Sequence, residues 1–247
     1  MTEKDVMHRV EEHAEEVNLL GHDFLFVSAQ GSWNYNLGYE NSDVDTKAVI
    51  LLPEEELFWR HSVDTHIYFE PSGICQILDL VTFVKYLLSY DLSLLEVFIS
   101  KHIIVNPKYE QFFKELKLLE RELFDRDHKS FLRELMNLAK EDWDYFNRRK
   151  KDTTEIKIFL HAFRLISVAA NFIDTSSYDF SMELSKDYQE IFKKAKREKT
   201  LPQEFYNLFP FIYSRVEQSF HEQQYTQASI KSFQVFCRNV YRYYNSN

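Results

Sequence analysis

The sequence has little glycine and proline, and it has no long apolar run. Only four glycines and five prolines occur among 247 residues, whereas aromatic side chains make up 16% of the chain. Such a composition excludes collagen-like and low-complexity proteins and favours a helix-rich globular fold. Because no stretch of about 18 consecutive apolar residues is present, neither a membrane span nor a membrane partner is expected.

Cysteine is also scarce, and no targeting signal is evident. The two cysteines, Cys75 and Cys237, are too few for a disulfide framework or a cysteine-based metal cluster, which indicates a reducing compartment. The segment from Met1 to Glu16 has no apolar centre of the kind found in signal peptides. The sequence therefore predicts a soluble, cytoplasmic protein.

Basic residues are few in the first part of the chain. Residues 1–100 contain five Lys and Arg against 18 Asp and Glu, whereas residues 101–247 contain 25 against 21, for a net charge of −9. Because polyanions attract Lys and Arg, the acidic first part argues against non-specific binding of nucleic acid. The same carboxylates suit a divalent-cation site. The basic run at 148–151 is interpreted as a solvated helix end, with contact to an RNA acceptor as the alternative.

The hydrophobic pattern changes along the chain from strand-like to helical. Apolar runs at 24–27, 44–52 and 74–78 predict three strands, and residues 3–19 before them have helical spacing. From Leu80 onward the spacing stays helical almost throughout. The sequence predicts an α+β fold, with a small mixed sheet and flanking helices in residues 1–115 and a mostly helical domain in residues 116–247.

The segment from Gly31 to Val49, GSWNYNLGYENSDVDTKAV, contains the residues with the clearest chemistry. On a strand, Asp43 and Asp45 would share one face, where a divalent cation relieves the repulsion between their carboxylates. Mg²⁺ needs only one or two carboxylates when substrate phosphates and water complete its shell. Gly31 permits close backbone approach to a phosphate, and Ser32 adds a hydroxyl donor. Together these features suit a bound nucleoside triphosphate.

Three plainer interpretations of this segment compete. Alternating acids are often the solvated face of a strand, and a Gly-Ser turn is common. Asp43, Asp45 and Glu54 also occupy positions 1, 3 and 12 of a calcium-loop template. That template is contradicted by Lys47 at position 5 and by Ala48 where glycine is needed. The order of strand, Gly-Ser, nine-residue gap, SDVD and strand favours the phosphate and metal site.

Several segments resemble one enzyme family. Residues 31–32 (GS), 34–37 (NYNL) and 42–47 (SDVDTK) are similar to the signature of nucleotidyltransferases of the DNA polymerase beta superfamily. The most similar branch is that of the nucleotidyltransferases predicted in bacteria and their phages. Residues 94–98 (LLEVF) and 106–109 (NPKY) also resemble that branch, as does a Lys-x-x-x-His-x-x-Arg-Leu pattern at 157–165. The resemblance covers residues 24–170 in pieces.

The resemblance implies transfer of a nucleoside monophosphate from a nucleoside triphosphate to an acceptor, with Mg²⁺ or Mn²⁺ as cofactor and release of pyrophosphate. It implies that Gly31 and Ser32 hold the β- and γ-phosphates and that Asp43 and Asp45 bind two metal ions. Further nucleotide contacts are expected from Lys47, Lys157, His161 and Arg164. The acceptor stays open between a short RNA end, a protein and a small molecule.

The basic residues of the pattern at 157–165 also allow a plainer interpretation. Lys157, His161 and Arg164 have the spacing of one helical face, which would present a cationic stripe to a triphosphate. Since acidic residues are frequent in this part of the chain, an ordinary salt-bridged surface is the alternative.

The third metal carboxylate is where the sequence departs from the family. Gln76 occupies the expected acid position on the third strand, and a neutral amide cannot act as a base. Asp79, three residues later, is the candidate third catalytic and metal-binding acid, with a helix cap before Leu80 as an equal alternative. Asp64 and Glu70 are weaker substitutes. Without a third acid, the chain would be a nucleotide-binding or protein-interaction module of the same fold.

Overall fold

The computed structural model describes residues 2–38, 42–59, 64–69, 73–126, 128–149, 156–174, 184–198, 200, 203–222 and 230–246. The chain forms two compact units. Unit 1 comprises Met1–Asn34, Gly38–Leu123 and Ala228–Asn247, and unit 2 comprises Tyr35–Leu37 and Phe124–Gln227. The predicted α+β class is confirmed, because unit 1 contains a mixed sheet with flanking helices and the rest of the chain is mostly helical.

Strands and helices are interspersed in the first part of the chain and are followed by helices alone in the described remainder. In order they are α1 Glu3–Leu19, β1 Asp23–Ala29, a 3-10 helix Gly31–Tyr35, β2 Thr46–Leu51, α2 Glu54–Trp59, β3 Asp64–Phe69, β4 Gly73–Asp79, α3 Leu80–Leu88, α4 Leu92–Phe98, β5 Ile103–Val105, a 3-10 helix Pro107–Tyr109, α5 Glu110–Arg126, α6 His128–Arg148, α7 Ile156–Asp174, α8 Lys186–Glu198, α9 Gln203–Glu222 and α10 Ile230–Tyr244.

The division of the chain differs from the predicted single boundary after residue 115. Unit 1 extends to Leu123 and also includes the C-terminal helix α10. This helix is amphipathic, and its apolar face, formed by Phe233, Phe236 and Val240, is buried. Because α10 packs against α3, burial of this face places the helix in the first unit.

The sheet of unit 1 has the strand order β3-β4-β2-β1-β5. β2 and β4 are parallel, and the other neighbouring strands are antiparallel, which makes the sheet mixed as predicted. Two strands, β3 and β5, are additional to the three predicted ones. β2 begins at Thr46, so Asp43 and Asp45 precede the strand on which the sequence pattern had placed them.

Different helices pack against the two faces of the sheet. On one face, α1 buries Val10 and Val17 in a cluster with Ala48 and Ile77. On the other face, Phe26 contacts aromatic rings from α3, α4 and α5, with centroid distances of 5.4 to 6.1 Å. Since side chains alternate along a strand, this second face also receives Lys47 of β2 and Gln76 of β4.

Unit 2 is built around α7. Eleven of its residues are buried, and rings from α8 and α9 pack on Phe163 at centroid distances of 5.2 to 5.5 Å. This 19-residue helix is long and apolar enough to cross a membrane, although the sequence analysis expected no span. Of its most apolar window, 61% is buried inside the protein. The helix is therefore consistent with the core of a soluble protein.

Candidate functional site

The candidate site begins with the turn that follows β1. Gly31 opens the short 3-10 helix Gly31–Tyr35 with a φ of +80°. Nothing lies within 4 Å of the position that a Cβ would occupy, so the backbone conformation rather than space favours glycine here. Ser32 follows directly and is half-buried. The two residues predicted to hold phosphates thus lie together in one turn.

Glu96 and Asn34 hold this turn in place. The backbone N–H of Gly31 donates a hydrogen bond to Glu96 Oε1, and the amide of Asn34 donates to Ala29 O at 2.8 Å. Ser100 Oγ donates to Asn34 Oδ1 at 2.6 Å. Glu96 is only 7% exposed. Sequence analysis gave Glu96 no role, and its one signal was a lone acid within the apolar segment at 94–98.

The acid pair lies between the turn and β4. Asp43 is exposed and Asp45 is half-buried, whereas Val44 between them is fully buried. Asp45 O accepts a hydrogen bond from Gln30 N at 2.8 Å, which connects the pair to the residue before Gly31. Asp45 Oδ1 accepts from Ile74 N at 3.0 Å. The structure therefore brings the acid pair and the turn into one arrangement, with the Asp45 carboxylate oriented by β4.

β4 approaches the acid pair closely at Gly73. A Cβ at this position would lie 2.3 Å from Val44 O and 2.8 Å from Val44 C, and the φ of Gly73 is +137°. Both the conformation and the lack of space require glycine. Sequence analysis recognised Gly73 only as part of a turn, because a contact with Val44 has no local signature.

Lys47 and Gln76 are opposite each other on the parallel strands β2 and β4. Lys47 Nζ donates to Gln76 Oε1 and, at 3.3 Å, to Ser93 Oγ. Lys47 is 6% exposed, so its ammonium lies inside unit 1 next to the neutral carbonyl of Gln76. Where the resemblance implies a carboxylate, the strand pair thus has a lysine–glutamine contact.

Asp79 caps a helix. Its Oδ1 accepts from Thr82 N at 2.9 Å and its Oδ2 from Thr82 Oγ1 at 2.6 Å, and the residue is 2% exposed. Asp79 lies five residues beyond Ile74 on β4, roughly 16 Å of extended strand at about 3.3 Å per residue. The structure does not bring Asp79 together with Asp43 and Asp45, and it favours the cap alternative.

The other candidates for a third acid add no ligand to the described site. Asp64 opens β3 and is paired in register with Leu78, and Glu70 lies outside the described residues. Within the described parts of the chain, no group of three or more His, Cys, Asp and Glu side chains is arranged to hold a metal ion. Asp43 and Asp45 would supply the one or two carboxylates that Mg²⁺ uses when phosphates and water complete its coordination.

The predicted cations of α7 have different environments within unit 2. His161 Nδ1 contacts Asp142 Oδ2, which agrees with the salt-bridged alternative for this residue. The Arg164 guanidinium lies 3.7 Å from the centroid of the Tyr35 ring. Lys157 is exposed. Of the basic run at 148–151, Arg149 lies over the Tyr145 ring, and Lys150 and Lys151 lie outside the described residues.

A buried histidine supports β2 from the opposite face of the sheet. His13 on α1 is 0% exposed, and its Nδ1 lies 2.8 Å from Thr46 Oγ1. Thr46 is the residue that directly follows Asp45 in the chain. Burial lowers the pKa of His13 to about 4, because the charged imidazolium would lose its hydration. The neutral ring is therefore part of the folded state at neutral pH.

The geometry in unit 1 is a turn at Gly31, an acid pair joined to it by a backbone hydrogen bond, and a neutral amide in place of a third acid. No protein-family model matches this chain, and no curated protein matches it in sequence. The chemistry of these residues is therefore the basis for any functional proposal.

Proposed function

We propose that the chain is a metal-dependent nucleotidyltransferase, which transfers a nucleoside monophosphate from a nucleoside triphosphate to an acceptor. The observation that supports this function is the hydrogen bond from Gln30 N to Asp45 O, which joins a phosphate-compatible turn to an acid pair. Two free thiols, Cys75 and Cys237, agree with a reducing, cytoplasmic location. The acceptor is a short RNA end, a protein or a small molecule.

Each part of the arrangement has a role in this reaction. The turn at Gly31 and the Ser32 hydroxyl hold the β- and γ-phosphates, while Asp43 and Asp45 would hold Mg²⁺ or Mn²⁺. When bound, the divalent cation supplies charge neutralisation at the phosphates and activation of the acceptor oxygen. Ile74 N orients the Asp45 carboxylate, so this member of the acid pair does not have to be ordered when substrate binds.

Gln76 determines how complete this site is. Its carbonyl accepts from Lys47, and it can provide neither a negative charge nor a base. The site then has two carboxylates, and the substrate phosphates must supply the remaining negative charge around the cation. The proposal therefore includes weak metal binding in the absence of nucleotide.

A second candidate function is a nucleotide-binding module that does not catalyse transfer. Two residues favour it. Gln76 is a neutral amide where the resemblance implies an acid, and the Asp79 carboxylate caps a helix. In this case the turn and the acid pair would retain a triphosphate without turning it over.

Radiolabel transfer distinguishes these functions. The full chain is incubated with each α-³²P nucleoside triphosphate, Mg²⁺ or Mn²⁺, and RNA, protein and small-molecule acceptors. Transfer that falls to background in Asp43→Asn and Asp45→Asn but persists in Glu15→Gln, a control at an exposed acid of α1, supports the enzyme. Triphosphate binding without transfer to any acceptor supports the module. Absence of triphosphate binding contradicts both.

A further inference from the structure

The strand β5 lies at one edge of the sheet in unit 1. Hydrogen bonds at both of its ends join it to β1, from Ala29 N to His102 O at 2.9 Å and from Asn106 N to Leu25 O at 3.1 Å. Because such bonds involve every second residue of an antiparallel strand, the N–H and C=O groups of Ile103 and Val105 point away from β1. Among the described strands, none pairs with β5 on that side. The edge therefore presents backbone donors and acceptors to a further strand.

A mostly apolar groove runs beside this edge. The side chains of Ile103 and Val105 line it from the sheet, and those of Phe113 and Leu118 line it from α5. Ile104 points to the other face, where it packs against the cluster that includes α1. Leu118 is 67% exposed. The groove has a volume of about 790 Å³, which lies within the range of roughly 300–1,000 Å³ that is typical of binding pockets.

The charge around the groove is positive, in contrast to the chain before it. Residues 101–118 contain four Lys and two Glu, whereas residues 1–100 contain five basic and 18 acidic residues. Lys114 and Lys117 line the groove itself. The partner of Lys114 is Glu110, one turn away on the same helix, and exposed pairs of this kind contribute little to stability. An acidic ligand would meet complementary charge, whereas a second copy of the chain in a two-fold contact would oppose these lysines with its own.

We propose that the edge of β5 and the groove beside α5 bind an extended, acidic peptide segment as an additional strand of the sheet. The peptide backbone pairs with Ile103 and Val105, its apolar side chains enter the groove, and its acidic side chains meet Lys114 and Lys117. A three-residue strand is about 10 Å long, which suits a short peptide better than a stable dimer, whose interface buries roughly 800 Å² on each partner. The inference does not depend on the proposed enzymatic function, because the acid pair contributes no residue to it.

The test begins with selection of peptides on the full chain. An mRNA-display library of random heptapeptides is passed over the immobilised protein, and the enriched sequences are compared with those retained by the Val105→Pro variant. Sequences specific to the unchanged chain should combine apolar residues with Asp or Glu and should be poor in Lys and Arg. One enriched peptide is then synthesised with a fluorescent label, and its affinity is measured by fluorescence polarisation.

N-methylation tests the backbone pairing through the peptide alone. Each residue of the selected heptapeptide is N-methylated in turn. Alternate N–H groups of a paired strand point toward β5, so methylation should weaken binding about tenfold or more at every second residue of the paired part and less than about threefold at the residues between. A peptide that is held only by its side chains would show no such alternation. Because the protein is unchanged, this measurement does not depend on the folding of any variant.

Matched variants of the protein locate the binding. Val105→Pro removes an N–H that points away from β1, at an edge position where proline is tolerated, and Val105→Ala shortens the side chain but keeps that N–H. Val105→Pro should bind the peptide about tenfold more weakly than Val105→Ala. Lys114→Glu should weaken binding about threefold or more. Lys85→Glu makes the same charge change at an exposed position on α3 and should alter the affinity less than about twofold.

Four outcomes overturn the proposal. Enrichment of no peptide, or of basic peptides, would contradict an acidic ligand. Uniform effects of N-methylation along the peptide would contradict strand addition. Equal losses in Lys114→Glu and Lys85→Glu would indicate attraction by net charge only. A dimer that is seen by sedimentation velocity in the unchanged chain but is lost in Val105→Pro would assign the edge to a second copy. Peptide binding that passes these tests would stand even if no transferase activity were found.

Discussion

Glu96 accepts a hydrogen bond from the backbone N–H of Gly31, 65 residues earlier in the chain. The buried carboxylate of α4 thus holds the turn from which the candidate site begins. Because Glu96 already accepts from the Gly31 N–H, a phosphate bound at this turn would have to use other donors, such as the Ser32 hydroxyl. Glu96 therefore has two functions: it supports the turn, and it occupies one of the turn's hydrogen-bond donors.

Replacing Glu96 should reveal the first function. We expect Glu96→Ala to lower the free energy of unfolding by about 2 kcal/mol, since hydrogen bonds to charged groups contribute about 1.5–3 kcal/mol. Glu96→Gln retains an acceptor oxygen and should lose about half as much. Urea unfolding measures both, with Glu11→Ala at an exposed position of α1 as the control. Stability equal to that of the unchanged chain in Glu96→Ala would contradict the role of this contact.

Gly73 and Gly21 allow the cost of an unfavourable backbone conformation to be measured separately from the cost of a steric clash. Both have positive φ values, +137° and +81°, but a Cβ at Gly21 would have no neighbour within 4 Å, whereas one at Gly73 would lie 2.3 Å from Val44 O. Gly21→Ala should therefore cost about 1–2 kcal/mol of unfolding free energy through backbone conformation alone. Gly73→Ala should cost more, because β4 or the acid pair must move.

Displacement of the acid pair should also be visible in function. If the proposed enzyme is active, Gly73→Ala should reduce nucleotidyl transfer well below the level of Gly21→Ala when both are measured at a temperature where each is folded. Equal stability and equal transfer in the two variants would show that the close approach of Gly73 to Val44 does not position Asp45.

Asp79 provides a test between a helix cap and a catalytic acid. We expect Asp79→Ala to lower the free energy of unfolding by about 1 kcal/mol or more, as measured by urea, and Asp79→Ser to restore most of that loss, since serine is also a good N-cap residue. Folded Asp79→Ser should retain transfer or triphosphate binding, whereas Asp43→Asn should not. Loss of transfer in a fully stable Asp79→Ser variant would return Asp79 to the catalytic site.

These residues also show what the sequence could predict. The strand–turn–acid pair order around Gly31 and Asp45 is local, and the sequence therefore predicted the strands on either side of it and the α+β class, although β2 begins at Thr46, after the acid pair. For Asp79, the sequence left a cap and a metal ligand as equal alternatives, because the choice depends on the register between β2 and β4. That register places Asp79 opposite Ile50, far along the strand from the acid pair.

Longer-range contacts were beyond sequence reasoning for a different reason. An amphipathic pattern in α10 predicts a buried face but does not specify its partner, and the helix returns to unit 1. Likewise, the acid in the segment at 94–98 indicates an unusual buried charge, while its partner Gly31 is identified only by folding.

Stability should depend on pH through His13. Its pKa is lowered from 6.5 to about 4 in the folded protein, so between these values the unfolded chain binds more protons than the folded one. Stability at this residue is therefore fully present above pH 6.5 and is lost as the pH falls toward 4. The total contribution is on the order of 3 kcal/mol, at about 1.4 kcal/mol for each pKa unit.

Urea unfolding between pH 4.5 and 7.5 measures this dependence. His13→Gln removes the titrating group and should flatten the rise in unfolding free energy with pH, even if it lowers stability at pH 7.5. Lys4→Gln, at an exposed position on the same helix, is the control for a substitution on α1. Because other groups titrate identically in all three proteins, the difference between their slopes isolates His13. Parallel slopes in the unchanged chain and His13→Gln would mean that the buried ring next to Thr46 does not titrate differently on folding.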